Sequence, residues 1–352
     1  MDSPQEHPHT PPRTMKAWLY SRTTNHLENN LHLDPAARMP GVLRDDQILV
    51  RVISASLNPA DYKVPELTAL TRVVIPTPAT PGMDFCGQVV VAASAVKELQ
   101  RGQLVYGSIG APAQFGALGE YLVCSARSTA PLPEGLAPDD AAAVGVAGQT
   151  AYQSVKPYVS AGDRVFINGG SGGCGVFAIQ IAKLLGCHVT TTCSARNVEL
   201  CKELGADEVI DYEAQDVLGV LKGKGQVFSL VVDHVGAPDA LYRECDAFLL
   251  PGKAFVQVGS TSLLSSSILS FADRLVRPGF LGGGKRKYDI LMFKNRREDL
   301  VQIGEWIQQG KIKVVIDSTF AFEDAVQAFE KLRSQRARGK IIIHVSDKDG
   351  QE

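Results

Sequence analysis

A chain of 352 residues with 36 basic and 38 acidic side chains carries a formal charge of −2, which gives no electrostatic reason to expect nucleic acid or an anionic membrane surface as its main partner. Its 45% hydrophobic and 21% charged residues are ordinary for a globular chain long enough for two domains, and its longest apolar runs are too short to span a bilayer. Seven cysteines, at 86, 124, 174, 187, 193, 201 and 245, are scattered, odd in number and never spaced Cys-x-x-Cys, which points to a reducing, cytoplasmic setting and away from a disulfide framework.

Residues 1–14, with prolines at 4, 8, 11 and 12 and no apolar core, read as a disordered tail and not as a signal peptide or presequence. From Met15, short strand-like pieces follow one another at Lys16–Tyr20, Ile48–Ile53, Gly87–Val91, Gln103–Gly107 and Gly119–Cys124. Their Pro- and Gly-rich connections predict an irregular β domain over 15–140. A helix over Ala141–Val155 leads out of it. Over 141–293 strand and helix then alternate: Val165–Ile167, a glycine turn with its helix, His188–Cys193, a helix at Asn197–Leu204, then Glu208–Ile210, Leu230–Asp233 and Lys253–Val258. This is an α/β pattern, a doubly wound parallel sheet with its ligand at the carboxyl ends of the strands. Ser262–Lys287 is the least readable stretch, and its basic, glycine-rich end at 278–287 reads as a solvated loop beside the pocket. A strand (Tyr288–Phe293), helix (Arg297–Gln309), strand (Val314–Phe320), helix (Phe322–Arg333) and strand (Lys340–Val345) complete the chain, with 294–352 expected to return to the first domain.

The glycine turn carries the chemistry. Gly170, Gly172 and Gly175, with Ser171, Gly173 and Cys174 between them, fit G-x-G-x-x-G, in which bare backbone and a helix N-terminus receive a pyrophosphate. The strand before and the helix after supply the context that a lone glycine string lacks. About twenty residues on, where an NAD site places Asp or Glu against the ribose, the chain reads Ser194-Ala-Arg196-Asn197 with no acid. Ser194 and Arg196 suit a 2′-phosphate, so NADPH is the expected cofactor. Two strand ends, His234-Val235-Gly236 after Asp233 and Val258-Gly259-Ser260, are further candidate cofactor loops. Cys174 reads as a small space-filling thiol.

Together these residues resemble the medium-chain dehydrogenase/reductase superfamily, and within it the zinc-free quinone oxidoreductase-like enzymes. The supporting strings are Ser56-Leu-Asn-Pro-Ala-Asp-Tyr-Lys63, Pro81-Gly-Met-Asp-Phe-Cys-Gly87, Gly116-Ala-Leu-Gly-Glu-Tyr121, the glycine turn, Leu204-Gly-Ala-Asp-Glu-Val-Ile-Asp-Tyr212 and Arg338-Gly-Lys-Ile-Ile342. Cys193–Asn197 and Lys63 are most similar to the alkenal/one and chloroplast-envelope quinone oxidoreductases. The resemblance implies a GroES-like β-rich catalytic domain interrupted by a Rossmann domain. Zinc-dependent relatives carry Cys, His and Cys at positions matching Asn58, Met83 and Val146, and residues 106–122 hold no structural-zinc cysteines. No metal is therefore expected.

The implied reaction passes hydride from NADPH to the β-carbon of an α,β-unsaturated carbonyl (an enone or enal), or to a quinone. On the family pattern Asn58, Asp61, Tyr62 and Lys63 face the nicotinamide. Asn58 would orient the ribose or carbonyl, Lys63 or Tyr62 would donate to the enolate, and Asp61 would position that donor, unless Asp61 and Lys63 merely pair to hold a loop. The resemblance carries Ser194, Arg196 and Tyr212 to the 2′-phosphate, with Tyr212 equally readable as a core aromatic, and carries Lys340 to a phosphate near the domain junction. One alternative is a trans-acting enoyl reductase of a biosynthetic assembly line, for which a basic rim at Lys285, Arg286 and Lys287 would speak. Another is a non-catalytic NADPH- or RNA-binding relative, disfavoured by charge and by the intact Asn58–Lys63 segment. A homodimer is compatible with this reading.

Overall fold

The computed structural model describes residues 11–67, 74–238, 240–258 and 286–346. A hairpin of β1 (Thr14–Leu19) and β2 (His32–Arg38) precedes β3 (Gln47–Ser56). Then come α1 (Pro59–Glu66), β4 (Asp84–Ala92), β5 (Leu104–Ser108), β6 (Tyr121–Ser125) and β7 (Thr129–Pro131). A seven-stranded sheet runs β14-β15-β3-β4-β5-β7, with β6 paired to β3. Its first two members, β14 (Ile316–Ala321) and β15 (Lys340–His344), come from the end of the chain. Ile342 of β15 lies opposite Ser56 and His344 opposite Ser54, antiparallel. The apolar run Ile341–Ile343 is buried, so burial draws the last strand against β3.

The expected helix over 141–155 is two helices, α2 (Pro138–Ala142) and α3 (Gly145–Val155). They lead to a six-stranded sheet of order β10-β9-β8-β11-β12-β13, parallel throughout. Its strands are β8 (Arg164–Asn168), β9 (His188–Cys193), β10 (Glu208–Asp211), β11 (Phe228–Asp233), β12 (Leu249–Gln257) and β13 (Lys287–Ile290). Read from β8, that order is the 3-2-1-4-5-6 winding of a dinucleotide-binding sheet. Val165, Phe166 and Ile167 are wholly buried, as is all of β11; strands covered on both faces read as unbroken apolar runs. The crossovers include α4 (Gly175–Leu184), α5 (Val198–Glu203), α6 (Val217–Lys224) and the short α7 (Ala240–Arg243). Residues 175–182 of α4 are all buried, so the helix is packed on every side. After β13 come α8 (Arg297–Gln308) and α9 (Ala325–Arg333). No described helix is long and apolar enough to cross a membrane.

Gly259, Ser260, Lys285 and most of the 278–287 loop lie outside the described residues. Arg286 and Lys287, the other members of the expected basic rim, do not border the cofactor crevice. Lys287 pairs with Ala254 at the amino-terminal end of the parallel strands, whereas the turn after Asn168 leaves their carboxyl end. Both are also engaged: Arg286 donates to the carbonyls of Leu249 (3.0 Å) and Asp246 (3.2 Å), and Lys287 pairs with Asp289 at 2.8 Å.

Candidate active site

The glycine turn joins β8 to α4 where the winding of the sheet reverses, the usual place for a ligand in such folds. The glycines are there for different reasons. Gly169 takes φ +91°, in the left-handed region, which a side chain would strain. An added Cβ at Gly170 would overlap Thr191 Oγ1, and one at Gly175 would overlap the Gly169 carbonyl and stand 2.7 Å from Gly170 backbone atoms. These two absences let helix and strand meet. Gly172 is different: an added Cβ would meet nothing nearer than the Gly169 carbonyl at 3.6 Å. The protein itself does not require glycine there, which fits a surface kept bare for a pyrophosphate.

A polar ladder that sequence reasoning missed holds the turn in place. Thr192 Oγ1 accepts from the Gly169 N–H (2.9 Å) and donates to Asn168 Oδ1 (2.7 Å). Asn168 Nδ2 donates to Asp233 Oδ1 (2.9 Å), and Gln257 Nε2 donates to Asp233 Oδ2 (3.1 Å). The ends of β9, β8, β11 and β12 are thereby tied together. Asp233 also accepts the N–H groups of Val235 and Gly236, fixing the loop around His234. Both ring nitrogens of His234 are buried without a partner, and burial lowers its pKa to about 4; the imidazole is neutral. Val258 donates its N–H to the Asp233 carbonyl at 2.9 Å.

At the end of β9, Asn197 Nδ2 donates to Ser171 Oγ (3.1 Å) and Ser194 Oγ (3.2 Å), while its buried Oδ1 has no partner. This amide links the glycine turn to the stretch where a ribose acid would stand. Tyr212 is 57% exposed and held by a bond from its N–H to the Cys193 carbonyl at 3.1 Å, so it is no core aromatic. Arg196 is exposed and donates from Nη2 to the Arg336 carbonyl at 3.2 Å. Burial raises the Cys174 thiol to about 11, which favours the thiol over the thiolate at neutral pH.

Of the four residues expected beside the nicotinamide, Asp61, Tyr62 and Lys63 lie on α1, a helix where the sequence suggested a loop. Asn58 caps it, and Asp61 Oδ2 accepts the Asn58 N–H at 2.6 Å in a capping box. The Asp61 carboxyl also accepts a backbone hydrogen bond from Met83. Burial first, and then the nearby Asp84, push the Asp61 carboxyl up to about 8. Tyr62 lies on the Glu66 face of the helix, its ring 4.2 Å beneath the Arg333 guanidinium. Arg333 is itself paired with Glu28 and Glu66. That places the Tyr62 ring in packing between α1 and α9. Lys63 is partly buried, which lowers its pKa.

Lys340 is where the expectation needs most correction. Its side chain is 2% exposed, and Nζ donates to the Leu57 carbonyl (2.9 Å) and Asn58 Oδ1 (2.6 Å) and lies 3.6 Å from Asp84 Oδ2. It is committed to a buried polar cluster, not turned toward a phosphate. Asp84, unassigned from sequence, is the hub: Oδ2 accepts Asn58 Nδ2 at 2.8 Å and Oδ1 accepts the Val146 N–H at 2.9 Å. Burial raises the Asp84 carboxyl, while Lys340 and the hydrogen bonds from Asn58, Val146 and Ser108 pull it back.

This cluster also tests for zinc. The three positions matching the metal ligands of zinc relatives hold an amide engaged at both ends, a buried thioether and a valine whose N–H is bound to Asp84. Such a set offers no zinc-binding tetrahedron. Among the described residues no group of three or more His, Cys, Asp or Glu is placed to hold a metal.

A doubly wound sheet with a bare glycine turn at its reversal, packed against a mixed sheet that supplies a polar cap, defines a nicotinamide-dependent oxidoreductase. Residues 44–134 match the alcohol dehydrogenase GroES-like domain family, and residues 204–343 the zinc-binding dehydrogenase family. Trans-enoyl reductase pgmF of Aspergillus terreus is 45% identical over 350 residues, covering 96% of this chain and 98% of that protein. The 2-methylene-furan-3-one reductase of Solanum lycopersicum is 32% identical over 343 residues, 95% of this chain and 80% of that one. The solved quinone oxidoreductase of Coxiella burnetii superposes with a TM-score of 0.81 at 30% identity, over 94% of this chain and 99% of that one. The chain belongs to the medium-chain dehydrogenase/reductase superfamily.

Proposed function

We propose that the protein is an NADPH-dependent reductase that delivers hydride to the β-carbon of an α,β-unsaturated carbonyl, or to a quinone by the same electronic logic, with no metal ion assisting. The observation that carries this reading is the closed Asn58–Asp84–Lys340 cluster, in which Asn58, at a position that the resemblance matches to a zinc ligand, is engaged in hydrogen bonds through both its nitrogen and its oxygen. Without that ion an alkoxide, with its charge on one oxygen, is poorly stabilised. An enolate spreads its charge and is held by hydrogen-bond donors. When bound, the nicotinamide supplies the hydride. The chain's part is to seat and orient: Gly172 and the start of α4 receive the pyrophosphate, and Ser194, Arg196 and Tyr212 take the 2′-phosphate. Asn58 keeps one amide hydrogen beyond the bond to Asp84, available to a carbonyl oxygen. Lys63 on α1, its pKa lowered by burial, takes the proton-donor role in preference to Tyr62. The sheet membership described above supports a division near residues 140 and 294.

The cofactor assignment is tested by Arg196→Ala. Its kcat/KM with NADPH should fall about tenfold, the weight of one charge-assisted contact, with the NADH value unchanged. Equal losses with both cofactors would overturn it.

One observation favours a variant of this reading in which the alkene arrives as an enoyl thioester on a separate carrier protein: the 45% identity to a protein described as a trans-enoyl reductase, across nearly the whole of both chains. The bond reduced is the same. Following NADPH absorbance with free enones, quinones, an enoyl pantetheine thioester and the same acyl group on a carrier separates the two. A large carrier-dependent gain in kcat/KM selects the variant.

A further inference from the structure

Lys340 does more than the fold requires. A side chain entering the core at the start of β15 would be served by a hydrocarbon, as Ile341, Ile342 and Ile343 are. A buried ammonium is costly unless its partners are well placed, and here they are. The geometry also fixes something sequence cannot. Lysine only donates, so the Asn58 atom 2.6 Å from Nζ is the amide oxygen, and the amide nitrogen therefore faces the Asp84 carboxylate at 2.8 Å. Lys340 and Asp84 together set the Asn58 amide in one orientation, with one hydrogen left over among the described residues.

The same lysine touches the cofactor cradle. An added Cβ on Gly173 would stand 3.3 Å from Lys340 Cδ. The preceding residue, Gly339, donates its N–H to the Ser171 carbonyl at 3.0 Å and bridges Gly172. Within two residues, the chain grips the glycine turn and then holds the amide that caps α1.

We propose that Lys340 is a positioning residue for hydride transfer: it orients the Asn58 amide toward the reacting carbonyl and ties that amide to the glycine turn, so that cofactor seat and substrate contact share one side chain. This rests on the reductase reading above.

The test is a double-mutant cycle with a structural companion. Lys340→Met should lower kcat for enone reduction roughly 10- to 100-fold, the scale of a small misplacement, with NADPH Kd changed less than about threefold. In an Asn58→Ala background the same substitution should cost less than about twofold, since the amide it orients is gone. Because Lys340→Met leaves Asp84 buried and unpaired, Asp84→Asn/Lys340→Met is made alongside; it removes the charge pair as a unit and should keep the fold while retaining the loss in kcat. Independent, multiplying effects of the two sites in an active enzyme would overturn the proposal, as would a loss confined to NADPH binding. A wild-type protein inert toward every enone, quinone and enoyl thioester would instead sink the reductase reading. The positioning claim then stands or falls on the side-chain amide NMR signals of Asn58, assigned by their loss in Asn58→Ala. They should shift and broaden in Asp84→Asn/Lys340→Met relative to Asp84→Asn alone, and unmoved signals would refute it.

Discussion

Two alanine substitutions three residues apart in the glycine turn should do opposite things. At Gly172 an added methyl has open space, with its nearest neighbour at 3.6 Å, and the backbone φ is not in the left-handed region. Gly172→Ala should therefore fold as well as the parent, or better by about 0.4–1 kcal/mol through the lost freedom of the unfolded chain. The methyl occupies the surface assigned to the pyrophosphate, however, and overpacking of about 1–3 kcal/mol corresponds to a Kd for NADPH raised roughly 5- to 150-fold. At Gly175 the methyl would overlap the Gly169 carbonyl and press on Gly170 at 2.7 Å, all backbone with nowhere to move. Gly175→Ala should cost about 3 kcal/mol or more of stability. Thermal melts with and without cofactor read both effects. The parent should gain about 2.7 kcal/mol at a hundredfold excess of NADPH over Kd, Gly172→Ala should melt normally yet gain much less, and Gly175→Ala should melt early. A Gly172→Ala protein with the parental Kd would show that no pyrophosphate lies there.

Three other outcomes follow from the buried groups. Asp61, raised to about 8 by burial and by Asp84, faces Asp84, Lys340 and Tyr20; between about pH 4 and 8 the unfolded chain releases a proton that the folded one keeps, so stability is lost as pH rises through that window. Urea unfolding from pH 5 to 8 should show a steeper fall for the parent than for Asp61→Asn, and parallel curves would refute the assignment. Arg333→Met leaves the Glu28 and Glu66 carboxylates without their partner, and with the arginine partly exposed the expected cost in denaturant is about 2 kcal/mol. Tyr62→Phe should leave kcat within about twofold, while Lys63→Met should lower it at least tenfold; the reverse pattern would restore the tyrosine as proton donor.

What was legible in the sequence was local. The strand, glycine turn and helix of 165–186 announce themselves because β-branched runs, glycines and helical spacing all act within a few residues. The missing acid at 194–197 is legible for the same reason. The polar cluster was not, because Asn58 and Asp84 are 26 residues apart and Asn58 and Lys340 are 282 apart; no spacing rule reports a contact made by a returning strand. Asp84 stood in a string read for the family resemblance and, at Met83, for its lack of a zinc ligand. Helix α1 escaped because eight residues with a proline inside show little periodicity. Its signal was present all the same, in Asn58 followed by Pro59 and by an acid at Asp61. Tyr62 was assigned to chemistry because its neighbours were, although one step along a helix turns a side chain through about a quarter of the circumference. That step carries it to Arg333.

The cluster also bears on why the proposed chemistry stops at conjugated substrates. One of the three positions that would hold an ion still meets a positive charge, since the Lys340 ammonium stands 2.6 Å from the Asn58 oxygen. It is a single charge, already shared with Asp84 at 3.6 Å and with the Leu57 carbonyl, and its reach to a substrate runs through a neutral amide. Such an arrangement offers a hydrogen bond polarised by a buried cation, which is weaker than direct coordination to a divalent ion. An oxygen that must carry a full localised charge gains too little from it. An oxygen at the end of a conjugated system, where the charge is divided with carbon, needs less. On the proposed reading the substrate class is set by how much positive charge the cap delivers, and Asp84→Asn should shift it: with less of the ammonium neutralised, the enzyme should gain on poorly activated enones relative to highly activated ones. A uniform change across the substrate series would mean that Asp84 only supports the fold.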